Sequence, residues 1–287
     1  MPTFSYLNEL VSIIVPCYNS GKTIKQTICS IQLQTWRNIE IIVVDDGSSD
    51  KDTIETLDAL EGVHLVRQKN SGLPAARNKG FAIATGEYFL PLDADDWLEY
   101  DAIEKLILGL KKDVNANFAY SFIQLEGEAR GIMKKSYNFF EQLFLNQIPY
   151  CILIPKAVWV SAGGYDESMQ KGYEDWEFNI RLGALGYIGH VVEEPLFHYR
   201  VTSNGMLVSK SNRIHCLLWK KIQKKHFKIY QFLYLINLWK VWKKRASKNP
   251  LPLYFVWFIF CRFTPLPLSS ILFRWFRGYS YFRRVNK

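Results

Sequence analysis

Four short apolar runs, rich in Val, Ile and Leu, divide the first hundred residues of the chain. They cover residues 11–16, 39–44, 63–67 and 87–92. Because their apolar residues follow one another with little polar alternation, the runs predict strands that are buried on both faces. Segments with helical spacing separate the runs. This alternation predicts an α/β fold built around a doubly wound, mostly parallel sheet.

The helices between these strands are predicted from their periodicity. The first begins at Ser20, which is its expected N-cap, and places Ile24, Ile28 and Ile31 on one face. The others are predicted at residues 51–60 and 75–85, and Gly86 is expected to close the last of them. Further along, the pattern predicts a helix at 101–110 and a second helix that opens within 172–178 and ends at Leu185. It also predicts strands at 117–124, 150–154 and 187–192, and a loop or hairpin at 125–138.

Polar residues directly follow three of the predicted strands, at residues 16–19, 45–46 and 93–95. The carboxyl ends of parallel strands meet at one edge of a sheet, where ligands bind in folds of this kind. The third loop places Asp93, Asp95 and Asp96 within four residues, and their charges repel one another unless a cation lies among them. Carboxylates are hard oxygen ligands that suit a divalent cation. Taken alone, the stretch could also be a solvated acidic turn, and in either case we expect Asp96 to cap the next helix.

Composition and missing motifs exclude several classes of protein. The chain has five Cys and no C-x-x-C pair, which argues against a disulfide scaffold and against a thiolate zinc site. No G-x-G-x-x-G follows the first strand, which disfavours a dinucleotide dehydrogenase, and the absence of G-x-x-x-x-G-K-[ST] excludes a P-loop NTPase. The first residues lack a charged segment followed by an apolar core, so no signal peptide is expected.

Charge is distributed unevenly along the chain. The formal net charge is +9, but none of the 27 Asp and Glu follows Glu194, whereas 19 of the 36 Lys and Arg do. We therefore predict two parts with different partners, an acidic body at residues 1–205 and a basic, aromatic, mainly helical tail at residues 206–287.

The tail shows a basic face and an apolar face. Lys220, Lys224 and Lys228 recur every four residues, while Leu218 and Ile222 fall on another helical face. An apolar run at residues 251–261 is too short to span a bilayer, which requires about 20 residues. The pattern favours association in the plane of an anionic membrane surface, and the tail is too apolar for a nucleic-acid partner. A helical subdomain or an oligomer interface is the alternative.

Taken together, the motifs at the strand ends resemble those of family-two inverting glycosyltransferases of the bacterial polysaccharide-biosynthesis type, which have the type-A nucleotide-diphospho-sugar transferase fold. The resemblance covers residues 9–205. It rests on an ordered set of segments: the strand at 11–16 with Tyr18 and Asn19, VVDDGSSD at 43–50, GLPAARNKG at 72–80, GEY at 86–88, LDADD at 92–96, and Gly164 and Tyr165 followed by Glu174 and Asp175.

The resemblance implies roles for individual residues. Asp175 matches the catalytic base, and Asp95 matches the acid that binds a divalent cation, Mn²⁺ or Mg²⁺. His198 lies near the place where some members supply a further metal ligand; the alternative is a satisfied histidine packed under the sheet. Glu174 and Trp176 are expected on the acceptor side, although Trp176 could equally be a core residue. The positions matched to nucleotide-sugar binding are Pro16, Tyr18, Asn19, Asp46, Arg77, Asn78 and Asp93, whereas Asp45 is expected to be structural.

The reaction implied by the resemblance is inverting transfer of a hexosyl or N-acetylhexosaminyl group from a nucleotide-diphosphate donor, expected to be a UDP-sugar. The implied acceptor is a hydroxyl of a lipid-linked or cell-surface glycan. The expected location is the cytoplasm, at the inner face of the plasma membrane. A sugar-nucleotide nucleotidyltransferase would require a glycine-rich phosphate loop after the first strand, which residues 16–19 do not provide. A non-catalytic glycan- or membrane-binding relative is disfavoured because Asp93, Asp95 and Asp175 are all present.

Overall fold

The protein is described by a computed structural model that covers residues 9–202, 214–243, 250–264 and Leu268. The aromatic and arginine-rich end of the predicted tail, residues 271–287, lies outside these residues. In chain order, the elements of the first half are β1 (Val11–Cys17), α1 (Gly21–Gln32), β2 (Ile39–Asp45), α2 (Lys51–Asp58), β3 (His64–Arg67), α3 (Leu73–Ile83), β4 (Tyr88–Pro91), β5 (Trp97–Leu98), α4 (Ala102–Lys112), β6 (Phe118–Gly127) and β7 (Gly131–Met133). They continue with α5 (Phe139–Gln142), β8 (Ile154–Pro155), α6 (Lys156–Ala162), α7 (Glu174–Ala184), β9 (Gly189–Val201), α8 (His215–Lys225), α9 (Phe232–Trp242) and α10 (Leu251–Phe263).

The main sheet has the strand order β3-β2-β1-β4-β8. Strands β1 to β4 are parallel, and only β8 pairs in the antiparallel direction. The predicted α/β fold with a mostly parallel sheet is therefore confirmed. Strand β1 lies at the centre and is buried along its whole length, as expected for a run that is apolar on both faces.

The helices pack on this sheet through the predicted faces. In α1, Ile24, Ile28 and Ile31 are at most 3% exposed. Helix α3 lies very close to the sheet, because a Cβ on Gly80 would stand 2.5 Å from Cγ2 of Ile14 in β1. The second glycine of the GLPAARNKG segment therefore allows a close contact between helix and strand.

Several predicted boundaries are wrong. Helix α3 ends at Ile83, and the next residue, Ala84, is already extended, so Gly86 does not close it. Gly86 instead lies against the main sheet, where a Cβ would stand 2.6 Å from the carbonyl oxygen of Leu10. Ser20 occupies the N-cap position of α1 but makes no side-chain cap; its hydroxyl donates to the Tyr18 carbonyl.

A second sheet with the order β5-β9-β6-β7 stands beside the first. Residues 125–138, predicted as a loop or hairpin, contribute to the antiparallel β6–β7 hairpin. The strand predicted at residues 187–192 is the beginning of the longer β9, which pairs in parallel with β6 across a register shift. Strand β9 carries His198 beside Trp97 of β5. Helix α6 was not predicted.

Helices α8, α9 and α10 bury their inner faces against the rest of the chain. Trp219 and Cys261 are fully buried, and they belong to the same apolar cluster as Phe140, Phe144 and Trp176. The inner faces thus fit the alternative of a helical subdomain. Residues 203–213 lie outside the described residues, so the boundary near residue 205 stays a prediction. No helix within the described ranges is both long and apolar enough to cross a membrane.

Candidate active site

The loops that follow β1 and β2 are joined by one asparagine. Asn19 has a positive φ of 51°, and its side-chain oxygen accepts hydrogen bonds from the backbone N–H groups of Ser49 (2.8 Å) and Asp50 (3.2 Å). Tyr18 is 50% exposed next to this junction, while Pro16 is buried within β1. Three of the residues predicted to bind the nucleotide sugar therefore lie together at the carboxyl end of the central strand, where Tyr18 and Asn19 are exposed.

Asp46 is buried at the end of β2 and organises the next loop. Its carboxylate accepts hydrogen bonds from Gln68 Nε2 (2.7 Å) and from the backbone N–H groups of Ser71 and Gly72, both at 2.8 Å. Neighbouring Asp45 accepts from the Ser48 N–H and lies 3.5 Å from Nε of Arg67. Asp45 thus stabilises the turn after β2, as expected for a structural residue. Asp46 instead joins the end of β2 to the loop before α3. A base contact by Asp46 stays a prediction.

Arg77 connects two parts of the site that are distant in sequence. Its guanidinium is 1% exposed; Nη2 lies 2.6 Å from Oδ1 of Asp93, and Nη1 lies 2.7 Å from Oε1 of Glu174. The cation also stands over the ring of Tyr150, 4.8 Å from its centroid, in a favourable cation–π position. One buried cation thereby holds the acid loop after β4 against the start of α7.

Asn78 serves the turn before α7. Its oxygen accepts from the Tyr165 N–H (2.8 Å), and its nitrogen donates to the Tyr165 carbonyl (2.9 Å) and to Glu167 (3.0 Å). These bonds fix the turn that contains Gly164 against α3. The predicted nucleotide contact of Asn78 is left without support, because its amide is committed to the turn.

Asp96 is a buried connector, and the prediction that it caps the following helix is wrong. Strand β5 follows it, and α4 begins only after Asp101. The Asp96 carboxylate is 1% exposed and accepts from the Tyr150 hydroxyl (2.5 Å) and the Arg200 N–H (2.7 Å). Burial, and then the nearby charges of Asp95 and Asp93, raise the pKa of Asp96.

Asp95 stands in the same loop with its carboxyl group partly exposed. Burial, and then the negative charge of Asp93, raise the pKa of Asp95 to about 6. Asp93 itself is 23% exposed and bound to Arg77. Two neighbouring carboxylates, one of them with a raised pKa, form a site that a cation would stabilise.

His198 makes several contacts within the fold, and its role as a metal ligand stays a prediction. The ring stacks on Trp97 with centroids 5.0 Å apart. Its Nε2 lies 2.7 Å from Oε1 of Glu99, and its Nδ1 lies 3.6 Å from Glu126. The stacking and the Glu99 contact fit the packed histidine, the alternative weighed from the sequence, whereas Nδ1 has no hydrogen-bond partner in the part of the chain that the structure describes. Within the described residues, no three His, Cys, Asp or Glu side chains are grouped to hold a metal ion.

The first turn of α7 presents two acids with different surroundings. Tyr173, just before the helix, has a positive φ of 68°, a costly conformation for a residue that is not glycine. Glu174 is 5% exposed; burial raises its pKa to about 7, against the opposing effect of Arg77. Asp175 accepts a hydrogen bond of 2.8 Å from Nδ2 of Asn146, and burial raises the pKa of its carboxyl group.

Trp176 points into the core, which corrects its assignment to the acceptor side. It is 2% exposed, its Nε1 donates to the Gln142 carbonyl at 2.6 Å, and its ring is nearly parallel to those of His215 and Trp219. Glu174 likewise faces Arg77 rather than an open surface. The residues after Asp175 therefore anchor α7 on the C-terminal helices.

Two site residues escaped the sequence analysis. The Tyr150 hydroxyl accepts from the Asp93 N–H (3.0 Å) and donates to Asp96, so it fixes both ends of the acid loop. Asn146 contacts Asp175. Asn146 lies in a segment with no regular spacing, and Tyr150 begins the strand predicted at residues 150–154, which says nothing about its hydroxyl; only the contacts identify both residues.

Comparisons with known proteins agree with this architecture. The family described as Glycosyl transferase family 2 matches residues 12–167, more than half of the chain. The glycosyltransferase GlyG of Streptococcus pneumoniae is 31% identical over 217 residues, which are 73% of this chain and 65% of GlyG. The chain therefore spans slightly less than two thirds of that relative's length.

Solved structures show the same fold at lower sequence identity. S. aureus TarS 1–349 in complex with UDP-GlcNAc superposes with a TM-score of 0.60 at 18% identity, over 74% of this chain and 65% of that one. The mannosyltransferase PcManGT from Pyrobaculum calidifontis, in complex with GDP-Man and Mn²⁺, gives a TM-score of 0.56 at 15% identity, over 95% of this chain and 76% of that one.

Proposed function

The chain belongs to glycosyltransferase family 2, and we propose that it transfers a hexosyl or N-acetylhexosaminyl group from a UDP-sugar to a hydroxyl of a glycan, with inversion at the anomeric carbon. The observation that carries this proposal is the bridge from Asp93 through buried Arg77 to Glu174. It holds the strand-end loops, expected to bind the donor, beside the helix that carries Asp175. A donor site and a base therefore have a common rigid support, as a transfer reaction requires.

The donor class is supported by the surface around Tyr18 and by the relatives. An exposed tyrosine at a strand end can stack on a nucleobase, and Asp46 would contribute by fixing the loop between β2 and α3. A solved neighbour carries UDP-GlcNAc, which is why a UDP-sugar is proposed ahead of other nucleotide sugars.

The base is Asp175. Its carboxylate takes the proton from the acceptor hydroxyl while that oxygen bonds to the anomeric carbon and the bond from this carbon to the diphosphate oxygen breaks. The electrons of the broken bond leave with the nucleoside diphosphate. A carboxylate whose pKa is raised by burial is a better proton acceptor than a solvated one, and the environment of Asp175 acts in this direction. Attack from the face opposite the leaving group inverts the anomeric centre.

A divalent cation, Mn²⁺ or Mg²⁺, fits the acid loop. Asp95 and Asp93 offer hard oxygen ligands, and the burial of Asp95 and the nearby charge of Asp93, which together raise the pKa of Asp95, favour a bound cation. Because the described residues contain no group of three metal-holding side chains, the protein would supply one or two carboxylates and leave positions for diphosphate oxygens. A cation held there would neutralise the negative charge that develops on the leaving group.

The acceptor is proposed to be a lipid-linked or cell-surface glycan, and the C-terminal helices support a lipid surface as the place of reaction. On the outer face of α10, Leu253, Val256, Ile259 and Phe263 are 54–74% exposed. We call these four residues the α10 stripe. Phe232 of α9, 65% exposed, continues the stripe through its contact with Phe255, with ring centroids 5.4 Å apart.

The charge of this region favours an anionic lipid surface as the partner of the α10 stripe. No acidic residue follows Glu194, and 19 Lys and Arg do. A helix of 13 residues is about 20 Å long and shorter than a bilayer core. It would therefore lie in the interface, with its apolar side chains among the lipids and its cations at the headgroups.

Release of UDP from candidate UDP-sugars in the presence of Mn²⁺ or Mg²⁺ tests the reaction. Asp175→Asn should abolish transfer, whereas the same change at exposed Asp52 of α2 should leave it intact. Full activity of the Asp175 variant would overturn the mechanism, and turnover after complete chelation would overturn the metal assignment. Formation of pyrophosphate from a nucleoside triphosphate and a sugar phosphate would instead identify a nucleotidyltransferase.

A further inference from the structure

Asn146 contacts the proposed base directly. It follows α5, and its Nδ2 lies 2.8 Å from Oδ2 of Asp175. We propose that Asn146 is a positioning residue that holds the Asp175 carboxylate with Oδ2 occupied and Oδ1 directed to the acceptor hydroxyl. This inference rests on the proposed role of Asp175 as the base.

The orientation of the Asn146 amide follows from a chain of hydrogen bonds that begins at the backbone. The Gln147 N–H can only donate, and it lies 2.6 Å from Oε1 of Gln142. The other end of the Gln142 amide must then be its nitrogen, which donates to Oδ1 of Asn146 at 2.9 Å. Asn179 Nδ2 donates to the same oxygen at 3.3 Å. Asn146 therefore turns its NH₂ group towards Asp175, and the opposite flip would place two acceptors together.

This arrangement has a chemical consequence for the carboxylate. A neutral N–H donor on Oδ2 stabilises the charged form of Asp175 and leaves its negative charge in place. An ion pair with a cation would instead neutralise that charge. The second oxygen keeps its lone pairs for the proton of the acceptor. A free carboxylate could rotate about its bond to Cβ, whereas the amide fixes the direction in which Oδ1 points.

Other charged and titratable groups act on Asp175 from the surrounding elements. Arg77 of α3 and Lys135, after β7, stabilise its negative charge, while Glu174 is coupled to it by repulsion and Tyr165 lies nearby. Lys135 also donates to the backbone carbonyl of Asn146 at 2.7 Å. Because these groups stay in place when Asn146 is changed, substitution of the amide isolates its own effect.

Two variants test the positioning role. Asn146→Ala removes the donor, and Asn146→Asp replaces it with a second carboxylate. In both, the loss of the hydrogen bond should raise the pKa of Asp175, so the acid limb of the kcat/KM profile should move to higher pH, by about one unit in Asn146→Ala and further in Asn146→Asp. We expect kcat to fall about 10- to 100-fold in Asn146→Ala, with the KM for the donor nearly unchanged. The same Asn→Ala change at exposed Asn115, between α4 and β6, is the matched control.

The carboxyl ¹³C titration of Asp175, measured by NMR without substrate, separates this inference from the reaction itself. A higher pKa in both variants, with wild-type unfolding midpoints, supports the hydrogen bond even if no UDP-sugar proves to be a donor. An unchanged pKa overturns the positioning role, even if activity falls. If Asp175→Asn retains activity while the pKa still shifts, the proposed function fails and the orientation of the carboxylate stands.

Discussion

Substitution of Arg77 by Met would leave two acids without their shared cation. Methionine has a similar length and no charge, so it fills the space while Asp93 and Glu174 lose contacts of 2.6 and 2.7 Å. At an effective dielectric of about 20, unit charges about 4 Å apart attract one another by about 4 kcal/mol. Removal of one partner from a buried network costs about 3–5 kcal/mol, since it strands charge away from water. Glu174 is 5% exposed and should account for most of this loss; Asp93 keeps some solvent.

Urea unfolding of the wild type, Arg77→Met, Glu174→Gln and the double variant measures the effect as a cycle. Glu174→Gln removes the stranded carboxylate, so the double variant should be more stable than the sum of the two losses predicts, by about 1–3 kcal/mol. Additive losses, or a loss below about 1 kcal/mol in Arg77→Met, would refute the argument that the bridge is buried and shared.

The pH dependence of the same variant gives a second, independent test. Burial already raises the pKa of Glu174 to about 7 although Arg77 opposes the shift, so removal of Arg77 should raise it further. An acid with a raised folded-state pKa binds more protons in the folded than in the unfolded chain. Its contribution to stability is therefore lost as pH rises through the folded-state pKa. Above pH 7, Arg77→Met should continue to lose unfolding free energy, whereas the Glu174 contribution has levelled off in the wild type. Parallel curves of unfolding free energy against pH between pH 7 and 9 would contradict a further rise in the pKa of Glu174.

Three further outcomes are expected. Glu177 is fully buried, and hydrogen bonds and ion pairs from His226, Arg181 and Lys225 lower its pKa to about 2. The ionised carboxylate should therefore stabilise the fold above about pH 4.5, and this stabilisation should be lost as pH falls towards 2. In urea titrations, Glu177→Gln should remove about 3 kcal/mol of this acid dependence. The full chain should co-sediment with vesicles that contain anionic phospholipid and not with neutral vesicles. Ile259→Asp in the α10 stripe should weaken vesicle binding at least about tenfold, whereas Val160→Asp on exposed α6 should leave it unchanged. Concentration-dependent dimerisation without vesicle binding would assign the stripe to a second copy of the chain. Trp176→Phe should cost about 1–3 kcal/mol of unfolding free energy, because it leaves the buried Gln142 carbonyl without its donor; a loss below this range would contradict a stabilising role of that hydrogen bond.

The predicted α/β fold depended on patterns that are local in sequence. Short, continuous runs of β-branched residues favour strands covered on both faces, and the intervening 3.6-residue spacing favours helices over them, so the parallel sheet followed from the chain alone. The convergence of the loops after β1, β2 and β4 followed as well, because parallel strands bring their carboxyl ends to one edge. For this reason Asn19, Asp46, Asp93 and Asp95 could be grouped before any contact was known, whereas Arg77 was added by the family resemblance.

Which way each side chain faces was decided only by the tertiary structure. Asp96 looked like a helix cap because the chain around it is acidic, but it is buried under Tyr150 and Arg200, which come from segments 54 and 104 residues away. Trp176 looked like an acceptor residue, but its indole N–H donates to the Gln142 carbonyl within the core. Asn146 has no sequence signal, since a positioning contact requires only that the two groups meet. The spacing of apolar residues indicates which face of an element is buried. The partners of a polar group depend instead on long-range packing, which no local pattern contains.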